Sequence, residues 1–447
     1  MSISVDAIIV GAGAAGLAAA AELGRAGLAV TVLEARDRIG GRIFTRSDPS
    51  SGAAIELGAE FIHGLPPDVW QPLQARNVKI TETQGESWCH QNGRLSPCDF
   101  FSKVEKILQR MDAAAPDESF CSFLNRCCPD SNASAKERAL AYVVGFNAAD
   151  PDLIGVHWLV NSMRAEERIE GDRAFRARHG YRDLIEIFLQ QLTTAGVSVR
   201  TGAVVDSIAW SSSHAELTVS GVSGSSKLEA RRVVITLPLA VLQTATGETG
   251  AVDFSPALPF KKLEALAKLE MGKVLRISLR FRRRFWEEIP LPDGGTLNLS
   301  GMRFLFSQDE WFPTWWTMAP DSAPILTGWA PFRCAERLSG KSTSFVAEQA
   351  LQALSRLLKI RTDSLAELLE AEYFHDWQTD PFSRGAYSYG KVGADGAHET
   401  LASPVENTLF FAGEATDTSG HNGTVHGAIA SGVRAAREIL AADRKRA

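Results

Sequence analysis

The chain has 447 residues, of which 45% are hydrophobic and 22% are charged, and its formal net charge is −6 at pH 7. These proportions are those of an average globular protein, so they exclude a disordered, collagen-like or coiled-coil chain, and the length suits two or three domains. The acidic balance argues against nucleic acid or an anionic membrane surface as the main partner, and it suits a cationic small molecule.

The N-terminus and the cysteines predict a location for the protein. The N-terminus carries neither the basic region of a signal peptide nor an arginine-rich transit sequence, and no apolar window of about 18 residues follows it. The six cysteines form no Cys-x-x-Cys pair and have no histidines at zinc spacing. We therefore expect reduced thiols, no metal site, no membrane span and a cytoplasmic location.

The first predicted elements are a strand, a turn, a helix and a second strand. An apolar run at 5–10 predicts a buried strand, and the glycine-rich sequence GAGAAG follows at 11–16. An alanine-rich helix then ends near Gly27, and a second strand at 29–33 runs into Glu34. An ordinary glycine-rich turn is one reading of this unit, and a dinucleotide-binding turn is the other.

The order of these features favours a bound dinucleotide. Gly11 permits a tight turn, Gly13 lets a pyrophosphate approach the backbone, and Gly16 lets the helix pack close to the sheet. Glu34 stands 21 residues after Gly13, where its carboxylate could bind a ribose hydroxyl. Because strand, helix and acid all accompany the glycines, we predict a dinucleotide, either NAD or FAD.

The segment after Glu34 selects between these two cofactors. LEARDRIGGRIFT at 33–45 and ELGAEFIHG at 56–64 resemble the FAD-dependent amine oxidases, the group of monoamine oxidases, polyamine oxidases, histone lysine demethylases and L-amino-acid oxidases. The resemblance implies FAD. A guanidinium beside two glycines can bind a diphosphate together with backbone amides, so Arg42 and Arg36 are candidate contacts, with surface charges as the alternative.

The C-terminal sequence resembles the second flavin-binding segment of the same family. FAGEAT at 411–416 is followed by GTVHGAIASG at 423–432 and an amphipathic helix. By this likeness Glu414 would contact the ribityl or diphosphate region, and a helix starting near Thr424 would direct its N–H groups at the flavin. A purely structural helix is the alternative.

WQTDPFSRGAY at 377–387 resembles the family segment that passes the flavin ring. Monoamine oxidases carry at the position of Ala386 a cysteine that bonds to the flavin, so this likeness implies non-covalent FAD here. Tyr387 corresponds to one aromatic wall of the substrate site, whereas the position of the opposite tyrosine is Thr424. Half of the aromatic cage is therefore missing, which favours longer or secondary amines.

The same resemblance raises a question about Arg276. The family usually has a lysine near flavin N5, on a strand that ends before a Phe-Trp pair, and alignment on that pair places Arg276 at this position. Lys273 is three residues away, which points it to the opposite face of a strand. Arginine is larger and stays protonated, so we expect the reaction with oxygen to differ from that of relatives with lysine.

Other residues are candidates for the substrate side. His63 stands where several polyamine oxidases have a histidine beside the substrate channel, and a structural histidine is the alternative. Glu60 could hold a distal ammonium. The tryptophans at 311, 315 and 316 belong either to the core or to a pocket wall, where they would attract an alkylammonium.

These considerations predict an α/β fold, with a discontinuous Rossmann-type FAD-binding domain and an inserted α+β substrate domain of mixed sheet and helices. The FAD-binding parts are 1–75, 191–250 and 396–447, and the substrate parts are 76–190 and 251–395. Within them we predict a strand in 231–242, helices at 260–272 and 343–359, and a strand at 274–281.

The site follows from the motifs and the resemblance. The expected FAD contacts are Gly11, Gly13, Ala15, Gly16, Glu34, Ala35, Arg36, Gly41, Arg42, Gly58, Ala59, Glu60, Val205, Trp377, Gly413, Glu414, Thr424 and Val425. The expected catalytic or substrate-facing residues are Tyr387, Thr424, Arg276 and His63.

The resemblance implies an oxidase that moves a hydride from the amine α-carbon to flavin N5, releases an imine that hydrolyses to an aldehyde, and reduces dioxygen to hydrogen peroxide. We expect a polyamine-type or secondary amine substrate and a monomer or homodimer. Alternatives are a primary monoamine oxidase, an L-amino-acid oxidase, a flavin amine dehydrogenase and a non-catalytic flavoprotein. Histone demethylation is disfavoured because no long helical insertion is visible.

Overall fold

Two large β-sheets organise the chain, which a computed structural model describes over residues 4–128, 133–222, 224–291 and 294–444. The strands of the first sheet follow the order Ser198–Arg200, Val30–Leu33, Ser4–Val10, Gly224–Ile235, His214–Gly221, Val204–Ser211 and Asp253–Ser255, and Leu409–Phe411 also pairs with Gly224–Ile235. The second sheet follows the order Leu369–Phe374, Val274–Phe281, Ile325–Pro331, Thr314–Thr317, Met302–Phe306, Glu86–Gln91 and Arg94–Pro97. The mixed α/β fold that the sequence predicts is confirmed.

The first sheet begins with the predicted strand–turn–helix–strand unit. Ser4–Val10 pairs in parallel with Val30–Leu33 on one side and Gly224–Ile235 on the other, so its apolar side chains are buried on both faces. The helix Ala14–Arg25 connects the first two strands and packs against the C-terminal helix Val425–Arg444. Small residues allow this close packing, because a Cβ on Gly432 would lie 2.1 Å from the carbonyl oxygen of Ala15.

The second sheet has an apolar core on one face. This core contains Trp286, Trp315, Leu305 and helix residues such as Leu354, all at most 1% exposed. The helices that cover it are Arg333–Leu338, Thr343–Leu358 and Thr362–Leu368. Trp315 therefore belongs to the core, whereas the next residue, Trp316, points to the opposite face because side chains alternate along a strand.

The remaining elements connect and cover the two sheets. The other helices are Pro67–Ala75, Phe100–Leu108, Phe120–Cys127, Ala133–Asn147, Val156–Glu167, Arg182–Thr194, Leu239–Leu242, Phe260–Lys268 and Ala397–Ala402, with 3-10 turns at Phe285–Glu287 and Glu414–Thr416. The short strand pairings are Thr45–Ser47 with Ala54–Glu56, Ile62–His63 and Ile80–Glu82 with Ala174–Ala177, Leu269–Met271 with Ser388–Gly390, and Ile289–Pro290 with Thr296–Leu297. None of the helices in the described ranges is long and apolar enough to cross a membrane.

Some predicted boundaries differ from the structure. The helix expected at 260–272 is Phe260–Lys268, because Leu269–Met271 leaves the helix to pair with Ser388–Gly390. Asp253–Ser255, assigned from sequence to the substrate part, pairs in parallel with Val204–Ser211 of the first sheet. The helix Arg182–Thr194, which the predicted boundary at residue 190 divides, shares an apolar cluster with the helices Ala14–Arg25 and Val425–Arg444. The five-part domain division stays a prediction.

The expectation of six reduced thiols is wrong for one pair. Cys89 and Cys98 form a disulfide with their Cα atoms 5.7 Å apart. Asn92 and Gly93, both with positive φ, make the tight turn between the strands Glu86–Gln91 and Arg94–Pro97, which brings the two cysteines together. The Asn-Gly sequence was the signal for this hairpin. The cytoplasmic location, which relied partly on reduced thiols, stays a prediction.

Candidate active site

A cavity of about 1510 Å³ lies at the carboxyl end of the first strand, and both sheets contribute to its walls. It is lined by every site residue predicted from sequence except Gly16, which is packed behind the turn. Segments far apart in the chain, such as 11–15, 34–36, 58–63, 386–388 and 422–426, therefore meet around one space. The structure brings these residues together, and their individual roles stay predictions.

The three glycines of the turn have different local requirements. Gly11 has a φ of 106°, and a Cβ on Gly16 would lie 1.9 Å from the carbonyl oxygen of Gly11, so the fold itself needs glycine at both positions. Gly13 is different, because the atom nearest to a Cβ added there, apart from those of adjacent residues, would be the Cα of Gly41 at 3.9 Å. The protein leaves open space at Gly13, which is where a pyrophosphate would approach the backbone.

The carboxylate of Glu34 closes this turn. Its two oxygens accept hydrogen bonds from the backbone N–H of Ala12 at 2.8 Å and of Arg36 at 3.0 Å. Each carboxylate oxygen can accept a further bond, so a ribose hydroxyl can still be bound from the cavity side. The Arg36 guanidinium is held by Asp380, with the closest distance 2.7 Å, and by the Ser383 hydroxyl.

Arg42 and Glu414 join the two halves of the site. Arg42 donates to Glu414 at 2.9 Å and to the carbonyl of Ala386 at 2.7 Å. Glu414 also accepts from the Ser388 hydroxyl at 2.6 Å and from the backbone N–H of Gly423 at 2.9 Å. The carboxylate therefore ties three segments of the cavity wall to one another.

The C-terminal helix points its N-terminus at the cavity. It begins at Val425, and the Thr424 hydroxyl accepts the N–H of Gly427 at 3.0 Å and donates to the carbonyl of His421. Thr424 is thus the N-cap of this helix as well as part of the cavity wall. The remaining free N–H groups of the first turn suit a group that carries negative charge.

Aromatic side chains also line the cavity. The Tyr387 hydroxyl donates to the carbonyl of Phe146 at 2.6 Å, and burial raises the pKa of this tyrosine. Trp377 is buried and donates to the carbonyl of Leu57. Tyr142 stacks on Phe146 with ring centroids 5.4 Å apart, so the aromatic wall is longer than the sequence motif indicated.

Arg276 is held by a buried charge cluster. Its guanidinium donates to Glu60 at 2.5 Å and to the carbonyl of Gly58 at 3.0 Å, and its Nε has no hydrogen-bond partner. Arg176 donates to the other oxygen of Glu60 at 2.8 Å, and Trp316 donates to the same carboxylate at 3.2 Å. Burial would raise the pKa of Glu60, but the two arginines hold it below its usual value.

The contacts around Arg276 argue against the role predicted for Glu60 and agree with the prediction that Lys273 faces away from this site. Glu60 already binds two guanidinium groups, so a distal ammonium is not its natural partner. Lys273 pairs with Glu336 at 2.7 Å and is not part of the cavity wall, which leaves Arg276 as the basic residue at that point. Sequence reasoning missed Arg176, because nothing in RAFRARHG indicates which arginine faces inward.

His63 and Glu166 are titratable groups on the cavity wall without hydrogen bonds from their side chains to other described residues. Burial, followed by the charge of Arg303, lowers the pKa of His63 to about 4, so its ring is neutral near pH 7. Burial raises the pKa of Glu166 to about 7. Glu166 lies on the helix Val156–Glu167 and was missed from sequence, because an acidic residue in a polar helix carries no distinguishing signal.

No cluster of three or more His, Cys, Asp or Glu residues that could hold a metal ion occurs in the described ranges. The open glycine turn, the free oxygen capacity of Glu34 and the helix N-terminus instead fit an extended anionic dinucleotide. The cavity is also large enough for such a group together with a small substrate.

Comparison with known proteins agrees with this description. The family model described as flavin containing amine oxidoreductase matches residues 14–122 and 124–440. A probable polyamine oxidase 4 from Arabidopsis thaliana is 27% identical over 98% of this chain and 87% of its own length. A lysine-specific histone demethylase 1 homolog 2 from the same plant is 28% identical over 97% of this chain, which spans only 58% of that relative.

Solved structures share the fold. A putrescine oxidase bound to putrescine superposes with a TM-score of 0.79 and 22% identity, covering 99% of this chain and 100% of the other. Cyclohexylamine oxidase from Brevibacterium oxydans IH-35A gives a TM-score of 0.79 and 20% identity, with the same coverage. At these identities the likeness concerns the fold alone.

Proposed function

The chain belongs to the flavin-containing amine oxidoreductase family, and from this premise we propose that it is an FAD-dependent amine oxidase. The observation that carries the proposal is the convergence of two remote flavin-type segments, 11–16 and 413–425, on one cavity with a substrate-sized aromatic extension. The proposal also includes a monomeric or homodimeric state and a cytoplasmic location.

FAD would be held without a covalent bond. Gly13 and the turn N–H groups would face the diphosphate, Glu34 the ribose, and the N-terminus of the helix at Val425 the flavin. Arg42 and Glu414 would act by fixing the segments that form this site. Ala386 has no group that can bond to the flavin, which supports non-covalent binding.

FAD, when bound, would supply the acceptor for the hydride of the carbon next to the amine nitrogen, and dioxygen would take up the electrons to give hydrogen peroxide. The protein's part is to bind a neutral amine in the correct orientation. The positive charge of Arg276 would disfavour a second positive charge beside it and so would favour loss of the ammonium proton, whereas the neutral ring of His63 would add no charge. The imine that leaves is hydrolysed by water to an aldehyde.

The substrate class that we propose is a polyamine-type or other secondary amine. Glu166 supports this, because its carboxylate lies on the cavity wall and would be ionised by a second ammonium group that binds to it. The aromatic wall of Tyr142, Phe146 and Tyr387 would pack along an alkyl chain. Primary monoamines are the second choice.

A flavin amine dehydrogenase is a second candidate, and Arg276 is the observation that favours it. A lysine at this position would be free to bind water, whereas Arg276 is tied to Glu60 and Gly58. This rigid arrangement could slow the reaction with oxygen. A dehydrogenase would show fast anaerobic flavin reduction together with negligible peroxide.

The test is anaerobic mixing of the purified protein with putrescine, spermidine, spermine, benzylamine and a set of amino acids, followed by admission of air. We expect rapid bleaching of the oxidised-flavin band with at least one extended amine, and peroxide when oxygen is admitted. No bleaching with any amine would contradict the proposal and leave a non-catalytic flavoprotein.

A further inference from the structure

We propose that Phe332 is a specificity-determining residue, whose ring binds an uncharged hydrocarbon segment of the substrate amine away from the carbon that is oxidised. The inference rests on the proposed function and narrows its substrate class. Phe332 lies between the strand Ile325–Pro331 and the helix Arg333–Leu338, and it lines the cavity. It belongs to none of the motifs that resemble other proteins.

The backbone of Phe332 has a conformation that phenylalanine rarely adopts. Its φ is 45° and its ψ is −110°, a region that glycine enters readily and that a Cβ makes unfavourable. Its N–H donates to the carbonyl of Lys273 at 2.7 Å, and its carbonyl accepts the N–H of Glu336 at 2.9 Å. The turn from strand to helix therefore imposes this conformation, and glycine would fit it with less strain.

The apolar core does not require the ring of Phe332. In the part of the chain that the structure describes, this residue belongs to no apolar cluster. Its neighbours Ala330 and Ala335, by contrast, both belong to the core of the second sheet. A phenylalanine that strains the backbone without filling the core needs another explanation, and the cavity that it borders supplies one.

The charges around the ring are balanced, and the ring already binds a cation. The guanidinium carbon of Arg333 lies 4.4 Å from the ring centroid. Arg333 pairs with Glu336 at 3.0 Å and lies 4.0 Å from Asp150. Glu336 also pairs with Lys273 at 2.7 Å, so two basic groups face two carboxylates. Because Arg333 would compete with a second ammonium group for the ring, Phe332 suits an uncharged hydrocarbon segment.

The register of the second sheet gives the direction in which the substrate would extend. Trp329 and Pro331 line the cavity, whereas Ala330 between them points into the core. Trp329 lies opposite Arg276, which the family resemblance places near flavin N5. Phe332 is three residues further along the chain, about 10 Å at the rise of a strand. The substrate class therefore narrows to amines with a hydrocarbon segment long enough to reach Phe332.

The experiment measures how binding depends on the length of the amine. Butylamine, hexylamine and octylamine are titrated by calorimetry into the holoenzyme, whose flavin is reduced beforehand with dithionite so that no turnover occurs. The variants are Phe332→Ala, Phe332→Gly and Phe332→Tyr, and urea unfolding measures the stability of each. Phe260→Ala and Phe260→Gly are the matched controls, because Phe260 begins a helix, is 73% exposed and does not line the cavity.

We expect the wild type to bind octylamine more tightly than butylamine. The ratio of the two dissociation constants should fall about tenfold in Phe332→Ala and in Phe332→Gly, the loss expected when about two methylene groups are no longer buried. It should change less than about twofold in Phe332→Tyr, which keeps the ring, and in the Phe260 variants.

The order of stability tests the strain separately. Phe332→Gly should unfold at a higher urea concentration than Phe332→Ala, because only glycine relieves the positive φ. At Phe260 the order should be reversed, because glycine is the poorer residue in a helix.

Two results would overturn the inference. The first is a ratio of dissociation constants in Phe332→Ala and Phe332→Gly that equals the wild-type ratio. The second is a lower stability of Phe332→Gly than of Phe332→Ala, which would remove the strain on which the inference depends. Absence of flavin reduction by every amine would instead contradict the proposed function, and the titrations with reduced flavin would then still decide whether Phe332 binds a hydrocarbon chain.

Discussion

Neutralising Glu60 should strongly destabilise the protein, because two buried arginines depend on it. In Glu60→Gln the side chain keeps its shape but loses its charge, so Arg176 and Arg276 lose their shared counterion. The side chains of Glu60 and Arg276 are each only 5% exposed, so water cannot replace the lost negative charge. Removing one partner of a buried ion pair costs about 3–5 kcal/mol, and we expect Glu60→Gln to fall in this range.

The assay is urea unfolding of the holoenzyme, followed by tryptophan fluorescence. The matched control is Glu216→Gln, which breaks the surface pair with Lys227 and should cost less than about 1 kcal/mol. The pKa of Glu60 is lower in the folded protein than in the unfolded chain, so its stabilising effect is present above the unfolded pKa and is lost as pH falls through the folded value. Equal costs for Glu60→Gln and Glu216→Gln would refute this reasoning.

Other predictions test the cofactor and the cavity wall. Arg276→Lys should change the rate of flavin reoxidation by at least about threefold, since lysine lacks the planar guanidinium fork that binds Glu60 and Gly58 together. Identical stopped-flow reduction and reoxidation rates would make Arg276 a spectator. Burial raises the pKa of Glu166 to about 7, so its ionised fraction rises about tenfold from about pH 6 to about pH 8, and putrescine should bind up to about tenfold more tightly at the higher pH, relative to butylamine. This pH effect should vanish in Glu166→Gln, and its persistence there would contradict the assignment. Denaturation followed by ultrafiltration should release all the flavin, whereas colour retained on the protein would show a covalent bond.

The N-terminal unit and the flavin-type segments could be predicted because their residue patterns are local. The strand predicted at 274–281 is Val274–Phe281 in the structure, and the helix predicted at 343–359 is Thr343–Leu358. Their apolar periodicity is strong, and glycine or charged residues mark the ends. The helix at Phe260–Lys268 ended early because a distant strand competes for Leu269–Met271, which no local pattern can reveal.

The substrate side could not be predicted for a similar reason. Arg176 and Glu166 are ordinary charged residues in their local sequences. Their importance comes from the contact of Arg176 with Glu60 and from the position of Glu166 on the cavity wall, both of which are properties of the assembled fold. The sequence identified Arg276 as unusual, but its partner Glu60 was assigned a different role, because the two residues are 216 positions apart.

The central claim is that one flavin dinucleotide is bound where the glycine turn meets the C-terminal helix, and the flavin-to-protein ratio tests it most directly. Gly13→Ala is the informative variant, since its added Cβ meets nothing closer than 3.9 Å within the protein and should obstruct only the cofactor. We predict about one flavin per wild-type chain, and much less in Gly13→Ala with unchanged circular dichroism. A wild-type protein that cannot take up FAD, or a Gly13→Ala variant that binds it as tightly, would contradict the prediction.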